Sequence, residues 1–272
     1  MAKQDYNESI LTDAQDIVVV RPSSQGYVFA AKPSIDFQRQ TYEESVSGSE
    51  DRGARAFSQC WEFDDHVGIK GSSTFHALRY DKKALRSKGL WLPGFTEARF
   101  LEKQGKLENG VYRDYDLVVY SDEDFNTEIA KELSGQAKQL GFALPVVSQF
   151  RALDYDVNSK SKYGIDLRFV EKPQGIIHGR EAQEAISSLN YKRNSGALGL
   201  LRDTYGNWLA DWYYLGNSYS DGRVDWICGE ATRADLVKAH ESLVERKYSN
   251  QIKELEEKQV AEFSQFEKSL TQ

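Results

Sequence analysis

Two cysteines, one methionine and five prolines are scattered through 272 residues, and the scarcity of cysteine excludes the most. Cys60 and Cys228 stand far apart, in no metal-binding or redox spacing. The chain therefore carries no disulfide framework and no cysteine-ligated zinc motif, and it reads as a protein of a reducing compartment. No stretch approaches the roughly 18 consecutive apolar residues that a membrane-spanning helix needs. The first residues lack the cationic start and apolar run of a secretory signal, so a soluble, cytoplasmic protein with no membrane partner is the expectation.

Signature motifs are missing as well. There is no G-x-S-x-G, no H-E-x-x-H, no Cys-x-x-Cys, no dinucleotide fingerprint and no internal repeat. The four histidines are scattered, so spacing alone proposes no pairing of nucleophile with base and names no cofactor. A net charge of -7 counts against general affinity for nucleic acid, because a non-specific phosphate binder shows a basic footprint.

What is present is an ordinary globular composition, 40% hydrophobic and 28% charged, in a chain long enough to bury a sizeable core. The pattern predicts an α+β fold: a mixed or antiparallel sheet with packed helices, one strand-helix-strand crossover unit and a long C-terminal helix. A polar stretch at 154–162 suggests a soft boundary, dividing the chain into 1–155, an aromatic-rich unit at 163–232 and a helix at 233–272. The whole can equally be a single domain.

The heaviest side chains collect between Ser195 and Glu230, where three strands are predicted at 197–202, 207–215 and 222–228. Trp208, Ala210, Trp212 and Tyr214 alternate with Leu209, Asp211, Tyr213 and Leu215, so both faces of the middle strand are largely apolar. A helix at 179–189 is its natural cover. Buried aromatic core is one reading of this meander. The other is a recognition face, with Tyr205, Trp208 and Tyr219 as ligand contacts and Tyr219 the most exposed; glycans are one candidate ligand.

Nearer the N-terminus, 17–20 and 27–31 predict a hairpin. Residues 38–57 read as a long mobile loop, either a plain surface excursion or a lid. A strand over 58–67 would align Glu62, Asp64 and His66 on one face, the beginning of a divalent-metal site. The glycine and hydroxyl loop 68–74 lacks the spacing of a phosphate loop. Asp81 is placed to cap a short helix over 82–88 that Gly89 ends. Arg79, Lys82, Lys83 and Arg86 lie in the basic, aromatic-interleaved stretch 75–91, the one place suited to nucleic acid or a phosphorylated ligand.

Further on, a strand at 111–120, a helix at 122–140 and a strand at 142–150 form the crossover unit, which implies parallel strands. Asp114 and Asp116 would share a strand face, with Asp122 and Asp124 at the strand's carboxyl end. Four carboxylates in that span could hold Mg²⁺ or perform acid/base work. The final helix carries one stripe of Leu236, Ala239 and Leu243 and a second of Ile252, Leu255, Phe263, Phe266 and Leu270. Their mismatch predicts a break near 248–250.

The leading expectation is a non-enzymatic binding or assembly protein, using the aromatic sheet and residues 233–270 as contact surfaces for a protein partner or for self-association as a coiled coil. One alternative is a metal-dependent enzyme acting on a phosphorylated or nucleotide substrate through the aspartates and the basic stretch. The other is a nucleic-acid-binding protein using residues 75–91.

Overall fold

A computed structural model describes residues 10–57, 61–122, 127–157, 161–193, 195–211, 215 and 221–270. The first elements are an antiparallel hairpin of β1 (Asp16–Ser23) and β2 (Gly26–Lys32), turned at Gly26 with φ 137°. Helix α1 (Ile35–Val46) follows, capped by the Ser34 hydroxyl, which accepts the Phe37 N–H. Then come β3 (Glu62–Asp64) and β4 (Gly68–Lys70), paired antiparallel. Helix α2 (Thr74–Tyr80) continues as a π turn over Asp81–Leu85 and a 3-10 turn over Arg86–Lys88, ended by Gly89 at φ 74°.

Next are α3 (Phe95–Lys103), β5 (Arg113–Val119), α4 (Thr127–Gln139), β6 (Val146–Gln149), and the hairpin of β7 (Leu153–Asp156) and β8 (Asp166–Phe169). The chain then forms β9 (Ile176–His178), α5 (Gly179–Ser187), β10 (Tyr191–Lys192), β11 (Ala197–Arg202), β12 (Trp208–Asp211), β13 (Ile227–Ala231) and α6 (Arg233–Leu270).

Six strands make the main sheet, in the order β10-β12-β11-β5-β6-β9. It is mixed, since β10 and β12 run parallel while the other neighbours are antiparallel. A second sheet has the order β1-β2-β13. Both sheets draw strands from either side of residues 154–162, so that polar stretch does not separate one sheet from another.

Strand alternation sorts the core into two layers. Leu117 and Val119 join Phe75, Leu78, Ile129, Leu133 and Phe150, the residues of α2, α4 and the turn after β6. Val118, Leu198 and Leu200 join Phe95, Leu101, Ala182, Ile186 and Trp208, so α3 and α5 cover the opposite face. The helix at 179–187 is thus the cover of the aromatic strands, as the sequence predicts.

Several expectations are corrected. The strand-helix-strand unit is present, but β6 pairs antiparallel with β5 and begins at Val146 beside Val119, where β5 ends. Helix α4 leaves and returns at one end of the sheet, so the ligand position expected for parallel crossovers has no basis here. Residues 35–46 are helix rather than mobile loop. That helix buries Gln38, Thr41 and Ser45 and so shows no apolar stripe: Gln38 Oε1 accepts the Ile69 N–H, and Thr41 shares a 2.7 Å hydrogen bond with the Tyr80 hydroxyl. The third expected strand of the aromatic meander is displaced to 227–231 and pairs with β2 in the other sheet. Asp81 lies inside a helix capped by Ser73, not at its start. The expected break near 248–250 does not occur, since α6 runs unbroken through it.

Candidate functional site

A β-bulge in β5 decides the fate of the aspartates. Leu200 pairs with Asp116 and Leu201 with Asp114, so Tyr115 is an extra residue and the alternation slips by one. Asp114 and Asp116 therefore turn to different helices instead of sharing a face. Asp114 accepts from the Ser72 hydroxyl at 2.6 Å and the Thr74 hydroxyl at 3.4 Å, at the start of α2. Asp116 accepts the Phe95 N–H at 2.8 Å, at the start of α3. Burial pushes the first carboxyl up to about 7 and the second to about 8, the nearby Glu97 adding to the latter. Asp122 is exposed and 3.7 Å from Lys138, and Asp124 lies outside the described residues.

The basic stretch is largely neutralised from within. Asp51, buried in the turn after α1, meets Arg79 and Lys83 at 3.4 Å each and accepts from the Tyr155 hydroxyl at 2.8 Å. Lys82 pairs with Asp154 at 2.6 Å, Arg86 with Asp81 at 2.7 Å, and Lys88 with Glu44. A phosphate would have to displace these partners. Glu62, Asp64 and His66 do not converge either. β3 stops at Asp64, whose carboxylate accepts the His66 and Val67 N–H groups in a tight turn and pairs with Lys70 at 2.5 Å. Among the described residues, no three His, Cys, Asp or Glu side chains are grouped to hold a metal ion.

Aromatic residues divide sharply. Trp208 is 1% exposed and donates its indole N–H to Glu102 at 3.0 Å, so it is core; Trp226 is buried too. Tyr205, 84% exposed at a hairpin turn, remains free for contact, and Tyr219 lies outside the described residues.

The longest exposed run among the described residues lies in α6. Its first turns pack on the body through Leu236, Ala239 and Leu243, and Arg246 donates to the carbonyls of Thr12 and Ala14. From Lys247 to Gln265 every residue is exposed, including Tyr248, Ile252, Leu255, Val260 and Phe263. At about 100° per residue, Val237, Val244, Tyr248, Ile252, Leu255 and Phe263 fall on one stripe, on the side of the helix opposite Leu236, Ala239 and Leu243. The two stripes therefore need no break between them.

That outer stripe follows an 11-residue repeat, from Val237 to Tyr248 to Gln259, Glu241 to Ile252 to Phe263, and Val244 to Leu255. Eleven residues span three turns, the period of a nearly straight or slightly right-handed helical pair. The same repeat places Glu245 and Glu256 along one flank of the stripe and Lys247 and Lys258 along the other, with Lys238 and Glu262 as exceptions and Glu241 inside the stripe. Reading the two stripes as mismatched misses this period. The signal was the recurrence of glutamate at one position of the repeat.

No protein-family model matches this chain, and no curated protein or solved structure matches it. No helix among the described residues is long and apolar enough to cross a membrane.

Proposed function

We propose that this protein is an assembly protein that pairs with a second copy of itself through parallel α6 helices. The observation that supports this reading is an unbroken helix that is exposed throughout from Lys247 to Gln265 and carries a periodic apolar stripe there. Ile252, Leu255 and Phe263 are each more than half exposed, at 57, 67 and 62%. An apolar row of this length is costly to leave in water. Covering it with Tyr248 on both helices returns roughly 8–15 kcal/mol, against an association cost of about 4–15 kcal/mol. The balance favours a concentration-dependent dimer over an obligate one.

Charge selects the partner and its direction. In a parallel pair opposite flanks meet, so the glutamate row of one helix faces the lysine row of its copy; an antiparallel pair would set glutamates against glutamates. Gln259, a polar residue inside the exposed part of the stripe, would fix the register as a buried polar position does in other helical pairs.

The aromatic sheet has no part in this reading, because Trp208 and Trp226 are interior. A metal-dependent enzyme would need Asp114 and Asp116 in one cleft, and the nucleic-acid reading would need the free cations that Asp51, Asp154, Asp81 and Glu44 engage. Sedimentation equilibrium tests the proposal: the full chain should show a rising average mass with concentration, and the chain ending at Lys247 should stay monomeric. Equal masses for the two at every concentration would reject it.

A further inference from the structure

Between β1, the start of α3, the ends of β5 and β6 and the turn before β9 lies a polar centre built around Gln149. Two glycines make room for its side chain: a Cβ on Gly94 would stand 2.4 Å from Gln149 Nε2, and one on Gly175 would stand 2.2 Å from Oε1. Gln149 Nε2 donates to Glu97 Oε2 at 2.7 Å, and Gln149 Oε1 accepts from Arg151 Nε at 2.7 Å. Arg21 reaches the other oxygen of Glu97 at 3.5 Å. The network fixes Arg151 by its inner nitrogen and lays the guanidinium over the Trp91 ring, 4.2 Å from its centroid.

Donor capacity is left over on the guanidinium of this centre. Arg113 and Arg202 each hold a carboxylate, yet the two terminal nitrogens of the half-buried Arg151 meet no acceptor among the described residues. The buried Trp91 indole N–H has no partner. Asp116, the cross-strand neighbour of Gln149, uses Oδ2 for the Phe95 N–H and leaves its buried Oδ1 unpartnered. Burial pushes that carboxyl up to about 8. Two unfilled donor nitrogens on a half-buried guanidinium held at its inner nitrogen suit a ligand group that accepts.

We propose that Arg151, supported by Arg21, binds the oxyanion head of a small ligand, a carboxylate or a phosphate, held two-pronged by the terminal nitrogens of Arg151. The glutamine network sets the angle of the fork, and the indole face below it keeps water from one side. This site is independent of α6 and of self-association.

Calorimetric titration of the full chain at pH 7 tests the proposal, with inorganic phosphate in one arm and succinate in the other, both against chloride at matched ionic strength. Saturable heat is expected in at least one arm; phosphate alone identifies a phosphoryl ligand, and succinate alone a carboxylate. Arg151→Gln should weaken binding by about tenfold or more. Arg151→Lys, which keeps the charge and loses the fork, should fall between that variant and the parent, and Arg180→Gln on exposed α5 should change nothing. Circular dichroism establishes that each variant is folded, and if Arg151→Gln is not, Arg151→Lys carries the comparison. No saturation in either arm, or equal affinity in the parent and the folded Arg151 variant, would overturn the assignment.

Discussion

Replacing Asp116 by asparagine should remove a loss of stability that the parent suffers above neutral pH. In the folded chain burial holds this carboxyl up to about 8, whereas an aspartate in an unfolded chain titrates near about 3.9. Between those values the folded state retains a proton that the unfolded state has released. The contribution is therefore complete below about pH 4 and is lost as pH rises towards about 8, by up to about 1.4 kcal/mol per pH unit. Asp114, held up to about 7, acts in the same direction but finishes sooner. His76 acts in the opposite sense, since burial holds its ring down to about 4 and stability on its account rises until about pH 6.5. The interval from pH 6.5 to 8.5 therefore isolates the late-titrating aspartate best.

Over that interval the parent should lose about 2 kcal/mol through Asp116, a figure that follows from a folded value near 8. Asparagine keeps an oxygen for the Phe95 N–H, which Asp116 accepts at 2.8 Å, and does not ionise. Urea denaturation at several pH values should give curves for parent and D116N that diverge by about that amount as pH rises, the variant being the flatter. Parallel curves would refute the reasoning, because they would mean that the carboxyl is ionised in the folded protein without cost.

Other substitutions separate interior from surface. Trp208→Ala should cost about 3–5 kcal/mol in urea unfolding, because the ring is fully buried against Phe95 and Tyr115, while Tyr205→Ala should change stability by less than about 0.5 kcal/mol. A reversed order would contradict the packing described. Asp225→Ala should cost about 3–5 kcal/mol, since it strands Arg113, which is 3% exposed and pairs with Asp225 through two nitrogens at 2.9 and 2.6 Å. An unchanged denaturation midpoint would show that Arg113 finds water or another acceptor.

Local signals carried much of the fold. The hairpin of β1 and β2 is legible from its β-branched run and Gly26, Gly89 marks a helix end, and the covering helix at 179–187 follows from its apolar spacing. The failures have physical causes. Helix α1 packs polar residues inward, so Gln38, Thr41 and Ser45 disguise it as a loop. The bulge at Tyr115 leaves no mark in residue types, yet it moves Asp114 and Asp116 apart and removes the paired-carboxylate site. The centre at Gln149 joins residues separated by 52 and 76 positions in the chain, and no spacing rule connects Arg21, Glu97 and Gln149. In α6 the two stripes were visible but were read as one interrupted face, because only contact with the body shows that Leu236 and Leu243 look inward.

Cross-linking at single introduced cysteines reports on the proposed pairing most directly. In a Cys60→Ser background, with Cys228 buried, Leu255→Cys should form a dimer-sized disulfide under mild oxidation, because parallel in-register helices bring each stripe position against its own copy. Ser264→Cys, on the side of α6 opposite the stripe, should remain monomeric under the same conditions. Equal cross-linking at the two positions, or none at Leu255→Cys at concentrations where the parent chain sediments as a dimer, would contradict parallel self-association through this helix.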